Sequence, residues 1–132
     1  MSLAAALAIA LSSAAAPPAT PAGAPAPVMV PVPAAPGPQE VRVLTREFAV
    51  GGSSGWHTHP GVEIGHVIAG VTEMRSADGP PRRYGAGETF VIARGTVHNG
   101  VNAGDVPARL VITYVTDQGQ PVRADAADPC TQ

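Results

Sequence analysis

"GWHTHPGVEIGHVIAG", residues Gly55 to Gly70, holds three of the four histidines in a chain of 132 residues, only 14% of which are charged. Successive side chains of an extended strand point to opposite faces, so His57 and His59 project to one side and Thr58 to the other. Pro60 and Gly61 turn the chain. Glu63, opening the next strand of a local hairpin, then returns a carboxylate to the same space. His66, three residues beyond Glu63, has the wrong parity and faces away. His98, in "GTVHNGVN", is the fourth candidate member. Three neutral imidazoles and one carboxylate make a mixed nitrogen and oxygen donor set suited to first-row divalent metal ions.

Around that stretch the sequence reads as short segments rich in Val, Ile, Thr, Phe and Tyr, punctuated by glycine, proline and aspartate. We expect strands near "VRVLTREFAV", "GWHTH", "VEIGHVIAG", "TEMRS", "ETFVIA", "VHNGVN" and "ARLVITYVT", with "GGSSG", "ADGPP" and "GAG" as turns. No segment has the period of an amphipathic helix of useful length. The expectation is an all-β domain, a small barrel or sandwich, over residues 40–117, followed by a polar tail over 118–132. Gly70, Gly87 and Gly95 mark turns and shape the scaffold. Glu73 and Glu88 read as solvated charges beside turns.

The first forty residues differ. "LAAALAIALSSAAA" is apolar and uncharged, and "PPATPAGAPAPVMVPVPAAPGP" follows with nine prolines. The apolar run is shorter than the roughly 20 residues of a bilayer span and has the length of a signal-peptide core. We expect a signal peptide over 1–22 and a disordered Pro/Ala-rich linker over 23–39, hence a periplasmic or secreted protein with no stable membrane span. A cytoplasmic protein with an uncleaved tail is the alternative.

Composition excludes several classes. The formal charge is −2 and the eight basic residues are all arginines, scattered without a run that could track phosphates, so nucleic acid is not an expected partner. Without lysine, Schiff-base chemistry is excluded. The single Cys130, in the terminal "ADPCTQ", has no partner for a disulfide and reads as an incidental exposed thiol.

The spacing carries more information than the residue types. Gly51, five residues, His57, one residue, His59, three residues, Glu63, six residues and Gly70 fill one pattern. Gly87, five residues, Ala93, Arg94, Gly95, two residues, His98, three residues and Asn102 fill a second. At both, the chain resembles the cupin superfamily over roughly Val41 to Val115, and its short inter-motif stretch is similar to that of small single-domain bacterial cupins. Ala93 departs from the family pattern, which has proline there, and this bears on turn rigidity but not on the ligands. The resemblance implies a small cupin β-barrel, a jelly-roll-like double-stranded β-helix. It also implies His57, His59, Glu63 and His98 as ligands of one divalent ion, Fe, Mn, Ni, Zn or Cu.

Cupins span many functions, and a fold does not select one. Apart from the ligands, Tyr84, Tyr114, Arg75 and Glu73 are the main titratable candidates on strands, and no further acid and base pair is evident. The first expectation is a metal-dependent oxygenase whose enolic or phenolic substrate binds through its oxygen atoms, with Glu63 leaving the metal to accept the substrate proton. The alternatives are a non-enzymatic periplasmic binding protein for a small ligand and a metal-assisted isomerase or lyase. Family habit implies a homodimer, with "VRVLTREFAV" as the candidate edge.

Overall fold

Residues 28–131 are described, from a computed structural model. The readings made for residues 1–27 lie outside them. Among the described residues there are nine strands and no α-helix: β1 Gln39–Phe48, β2 His57–Thr58, β3 Val62–Ala69, β4 Val71–Ser76, β5 Gly79–Gly85, β6 Thr89–Ile92, β7 His98–Val101, β8 Ala108–Asp117 and β9 Ala124–Asp125. They form two antiparallel sheets, one of order β1-β8-β3-β6 and one of order β5-β4-β7-β2-β9.

The inner faces of the two sheets differ in chemistry. Strand β8 alternates buried and more exposed positions along its length, and Ala108, Leu110, Ile112 and Tyr114 point inward. With Val67 of β3 and Phe90 of β6 they form the buried apolar core, so the four-stranded sheet supplies that core itself. The ring of Phe90 lies over Gly65, its cross-strand partner, where a Cβ would come within 1.9 Å of Cζ. The five-stranded sheet contributes Met74 and Tyr84 to this packing and otherwise buries polar groups, among them His57, Thr72, His98 and Asn99.

Two strands lie where the sequence suggested none. Strand β5 contains Pro80 and Pro81 and runs through the expected "ADGPP" turn, because it is an edge strand paired only with β4, where the missing N–H groups cost no ladder bonds. Strand β9 lies in the stretch expected as a polar tail and pairs with β2. Its two exposed residues carry no hydrophobic alternation that could announce it.

Asn102, 1% exposed, ties the loops at one end of the molecule together. Its Nδ2 donates to Phe48 O at 3.1 Å, Ala49 O at 3.2 Å and Val106 O at 2.8 Å, and its Oδ1 accepts from Gly104 N at 3.0 Å. Asn102→Ala leaves several of these buried groups unpaired. We expect a loss of about 2–3 kcal/mol in urea unfolding with an unchanged m-value. A loss below 1 kcal/mol would show that water replaces the amide.

Candidate metal centre

Four side chains meet between the sheets. His57 lies on β2, His59 just after it, His98 opens β7 opposite His57, and Glu63 comes from β3 in the facing sheet. The local hairpin expected for His57, His59 and Glu63 is therefore not formed. The Pro60-Gly61 corner carries the chain from one sheet to the other, and the two faces converge on the same space. All four are buried, at 5% or less exposed, and their ligand atoms lie within 4.8 Å of one another. The rings are close: the His57 centroid is 4.7 Å from that of His59 and 4.3 Å from that of His98.

The hydrogen bonds behind the rings define the tautomers. Nδ1 of His57 meets Gly55 O at 2.8 Å, Nδ1 of His59 meets Val122 O at 2.7 Å, and Nδ1 of His98 meets Thr96 O at 3.0 Å. A carbonyl oxygen only accepts, so each Nδ1 carries hydrogen, and in the neutral ring Nε2 is left as a lone pair. Two of these nitrogens face the same carboxylate oxygen. Nε2 of His98 lies 3.0 Å from Oε2 of Glu63. Nε2 of His59 lies 2.7 Å from it, yet off the hydrogen-bonding axis, a buried nitrogen with no hydrogen-bond partner among the described residues. Acceptor against acceptor is repulsive unless ring protons or a cation stand between them. One divalent ion would satisfy the three lone pairs and the carboxylate together, and the carbonyl behind each ring supplies the outer support that such ligands require. The residues present fit one divalent metal ion, and the donor set suits Fe, Mn, Ni, Zn and Cu alike.

The local electrostatics favour this use. Burial, partly opposed by the Gly55 carbonyl, pulls His57 down from 6.5 to about 4, so at neutral pH its ring holds no proton that an ion must displace. Burial raises the Glu63 carboxyl, and positive charge at the His59 and His98 nitrogens, where a cation would stand, outweighs it and holds the group at about 2. The unfolded chain protonates His57 near 6.5 and the folded protein only near 4, so the unfolded state binds the extra proton between them. Stability of the metal-free protein should fall as pH drops through that window. Thermal unfolding from pH 7 to pH 4 tests this, because His57→Gln should flatten the slope. An equal slope in both proteins would assign the effect to other groups.

A cavity of about 300 Å³ opens on His57, Glu63 and His98. Arg46, Arg123 and Tyr114 also line it. The Tyr114 ring stands 4.8 Å from that of His59 and joins the apolar core to the cluster. Burial, and then the charge of Glu63, raise the Tyr114 hydroxyl above its usual value, so it stays a donor. The other titratable candidates are elsewhere. Tyr84 packs on Phe90 at 5.3 Å. Glu73 is not solvated as expected: it is 8% exposed and bridges Arg75 at 2.8 Å and Arg83 at 3.0 Å, and these arginines hold its carboxyl below the usual range. Glu88 is exposed and caps the β5–β6 turn by accepting from Gly85 N at 2.6 Å. His66 is exposed and meets Thr89 Oγ1 at 2.9 Å, away from the cluster.

Arg46, Arg123 and the Val122 carbonyl did not emerge from the sequence as parts of the site. Arg46 carries a legible signal, since it shares the parity of Leu44 and Phe48, both packed on the core, and a charge at such a position asks for a reason. Arg123 and Val122 arrive through β9 and have no local signal.

Residues 44–114 match the family model described as the cupin domain. The chain is a cupin. Among curated proteins it is similar to oxalate oxidase 1 of Hordeum vulgare, 40% identical over 76 residues that cover 52% of this chain and 38% of that protein. Among solved structures it is similar to an oxalate oxidase in complex with the substrate analogue glycolate, at 33% identity and a TM-score of 0.56, covering 64% of this chain and 45% of that one. An uncharacterised double-stranded β-helix protein of Klebsiella pneumoniae aligns over 74% of this cupin and 91% of its own chain, with a TM-score of 0.59 and 22% identity, a likeness of fold alone. The chain spans less than half the length of the oxalate oxidase relatives it matches.

Proposed function

We propose that this cupin is a metal-dependent oxidase of a small carboxylate anion. The observation that carries the reading is the cavity over the cluster, which sets Arg46 and Arg123 beside a site for a divalent ion. About 300 Å³ admits a small molecule, and Arg46 and Arg123, on a wall that also carries Glu47 with Glu63 at the cluster, give a carboxylate two charged forks to bind. The similarity to oxalate oxidases supports the same class.

A bound divalent ion supplies a Lewis-acidic centre and, where it is redox-active, a path for electrons between substrate and dioxygen. His57, His59, Glu63 and His98 hold that ion. Arg46 and Arg123 neutralise the anion, and the Tyr114 hydroxyl donates to its oxygens. For a two-carbon dicarboxylate the balance closes as follows: the carbon–carbon bond breaks, both carbons leave as carbon dioxide, and dioxygen takes two electrons and two protons to become hydrogen peroxide. Glu63 is the group within the cluster that can receive a proton from an enolic or phenolic substrate. Held at about 2 it is a weak base, which favours a substrate that arrives already ionised.

The test is oxygen uptake and peroxide release by metal-loaded protein over oxalate, glycolate, enolic diketones and catechols. Uptake with a small acid is the expected result. Anion binding without oxygen uptake favours the binding-protein alternative, and turnover without oxygen favours the isomerase or lyase.

Two further parts of the reading concern the whole protein. A signal peptide over 1–22 and a linker over 23–39 place it outside the cytoplasm, supported by the apolar run and the prolines, and N-terminal sequencing of native protein checks this. A homodimer is supported by the edge position of β1 and by Val41 and Val43, 64% and 65% exposed on it. Size-exclusion chromatography with light scattering should give twice the chain mass.

A further inference from the structure

The family match ends at Tyr114, and the stretch after β8 lies beyond it, yet the protein builds that stretch into the metal centre. After Gly119 the chain returns along the open edge of β2. There β9 sets Asp125 opposite His57 and Ala124 opposite Thr58, and Ala126 N donates to Trp56 O at 3.0 Å. The acceptors behind His57 and His98 are carbonyls two residues away in their own loops. The acceptor behind His59 is Val122 O, 63 residues further along the chain. One ligand of the cluster therefore takes its tautomer and ring angle from a remote segment.

Arg123 is the next residue. Its guanidinium donates to Ser54 O at 3.1 Å and to Asp125 Oδ1 at 2.5 Å, and it lines the cavity over His57, Glu63 and His98. The guanidinium fork carries five N–H donors, so these two bonds leave donors for an anion. Beyond these bonds the segment has modest anchorage: a two-residue strand, exposed at both positions, and the side chain of Val122 against the core. A strand that short is marginal alone, and whatever requires His59 in its Nδ1–H form stabilises the closed segment by linkage.

We propose that Pro121–Ala126 is a clasp of the metal centre, whose closing orients His59 through Val122 O and places Arg123 to recognise the carboxylate group of the substrate. This rests on the metal and small-acid reading above. Ion binding and clasp closure are one coupled equilibrium, so the ion orders the segment and opening the segment weakens the ion. Arg123 serves both ends of it: its bond to Ser54 O helps hold the clasp shut, and its remaining donors meet the anion.

The experiment uses the full chain with Mn(II) and with glycolate as probes. Mn(II) should slow amide exchange across residues 122–126 by about tenfold, within the range of ordinary coupling between sites. Ala126→Pro removes the bond to Trp56 O and should weaken Mn(II) by about tenfold with all four ligands in place. Slow exchange in β8 confirms that this variant is folded. Arg123→Gln should weaken Mn(II) less than Ala126→Pro does, while weakening glycolate on the Mn(II)-saturated protein about tenfold, and Arg123→Lys should restore part of that loss. Ion uptake by the parent protein with no change in exchange at 122–126 overturns the clasp. Equal glycolate affinity in Arg123→Gln overturns the recognition role. A parent protein that takes up no ion removes the metal reading itself.

Discussion

His98→Ala is expected to bind its metal roughly 100-fold more weakly. His98 is the ligand that β7 brings to the cluster, and its Nε2 faces the Glu63 carboxylate at 3.0 Å from inside a site that is 1% exposed at this residue. Losing an outer-shell partner of a ligand typically costs 10–100-fold in affinity, so loss of the ligand itself should cost roughly 100-fold or more. The readout is large. At an ion concentration 100 times the dissociation constant the parent protein gains about 2.7 kcal/mol, and a 100-fold weaker site keeps only about 0.4 kcal/mol of that. The fold should survive, because the apolar core of Val67, Phe90, Leu110 and Ile112 does not include His98. Unchanged metal content together with unchanged metal-induced stabilisation would place the ion elsewhere.

Gly61→Ala is expected to be among the most damaging single-methyl changes in the domain. A Cβ at Gly61 would stand 2.0 Å from Val115 O, 2.8 Å from Val115 C and 2.9 Å from Thr116 Cα. All three are backbone atoms of β8, a strand paired on both sides, with β1 and with β3, so no rotamer change can make room. The chain must move at the corner that leads from one sheet to the other, and Glu63 lies two residues on. We expect a loss of about 3 kcal/mol or more, near 15 °C in Tm, together with weaker metal binding. Gly87→Ala is the comparison. Its φ of 86° strains an alanine, but its Cβ would meet nothing within 4 Å, so about 1–2 kcal/mol should be lost. Equal unfolding midpoints for the two variants would mean that β8 yields at Val115.

The two glycines also show where a local signal ends. Gly87 announces a turn from its neighbours alone, whereas the demand at Gly61 comes from a strand more than 50 residues away in sequence. The same division runs through the fold. Strand β8 could be read directly, because inward Leu110, Ile112 and Tyr114 alternate with outward positions and a period of two survives any tertiary arrangement. Strand β5 could not, since Pro80 and Pro81 are permitted only by its edge position, which is a property of the sheet and not of the segment.

For the site, the chain by itself singled out the four candidate ligands: the spacing of His57, His59 and Glu63, and the glycine-to-histidine pattern ending at His98, stand in the linear sequence and carry the cupin likeness. Only the tertiary structure decided how they meet. The Pro60-Gly61 corner sends Glu63 into the opposite sheet, a choice between hairpin and crossing that short-range turn chemistry leaves open. Likewise only the folded chain brings Val122 O to His59 and Arg46 and Arg123 to the cavity. Ligand type and spacing are local and survive in one dimension. Second partners, charge at a cavity and the pairing of a two-residue strand are contacts between distant segments, and they exist only once the sheets have closed on each other.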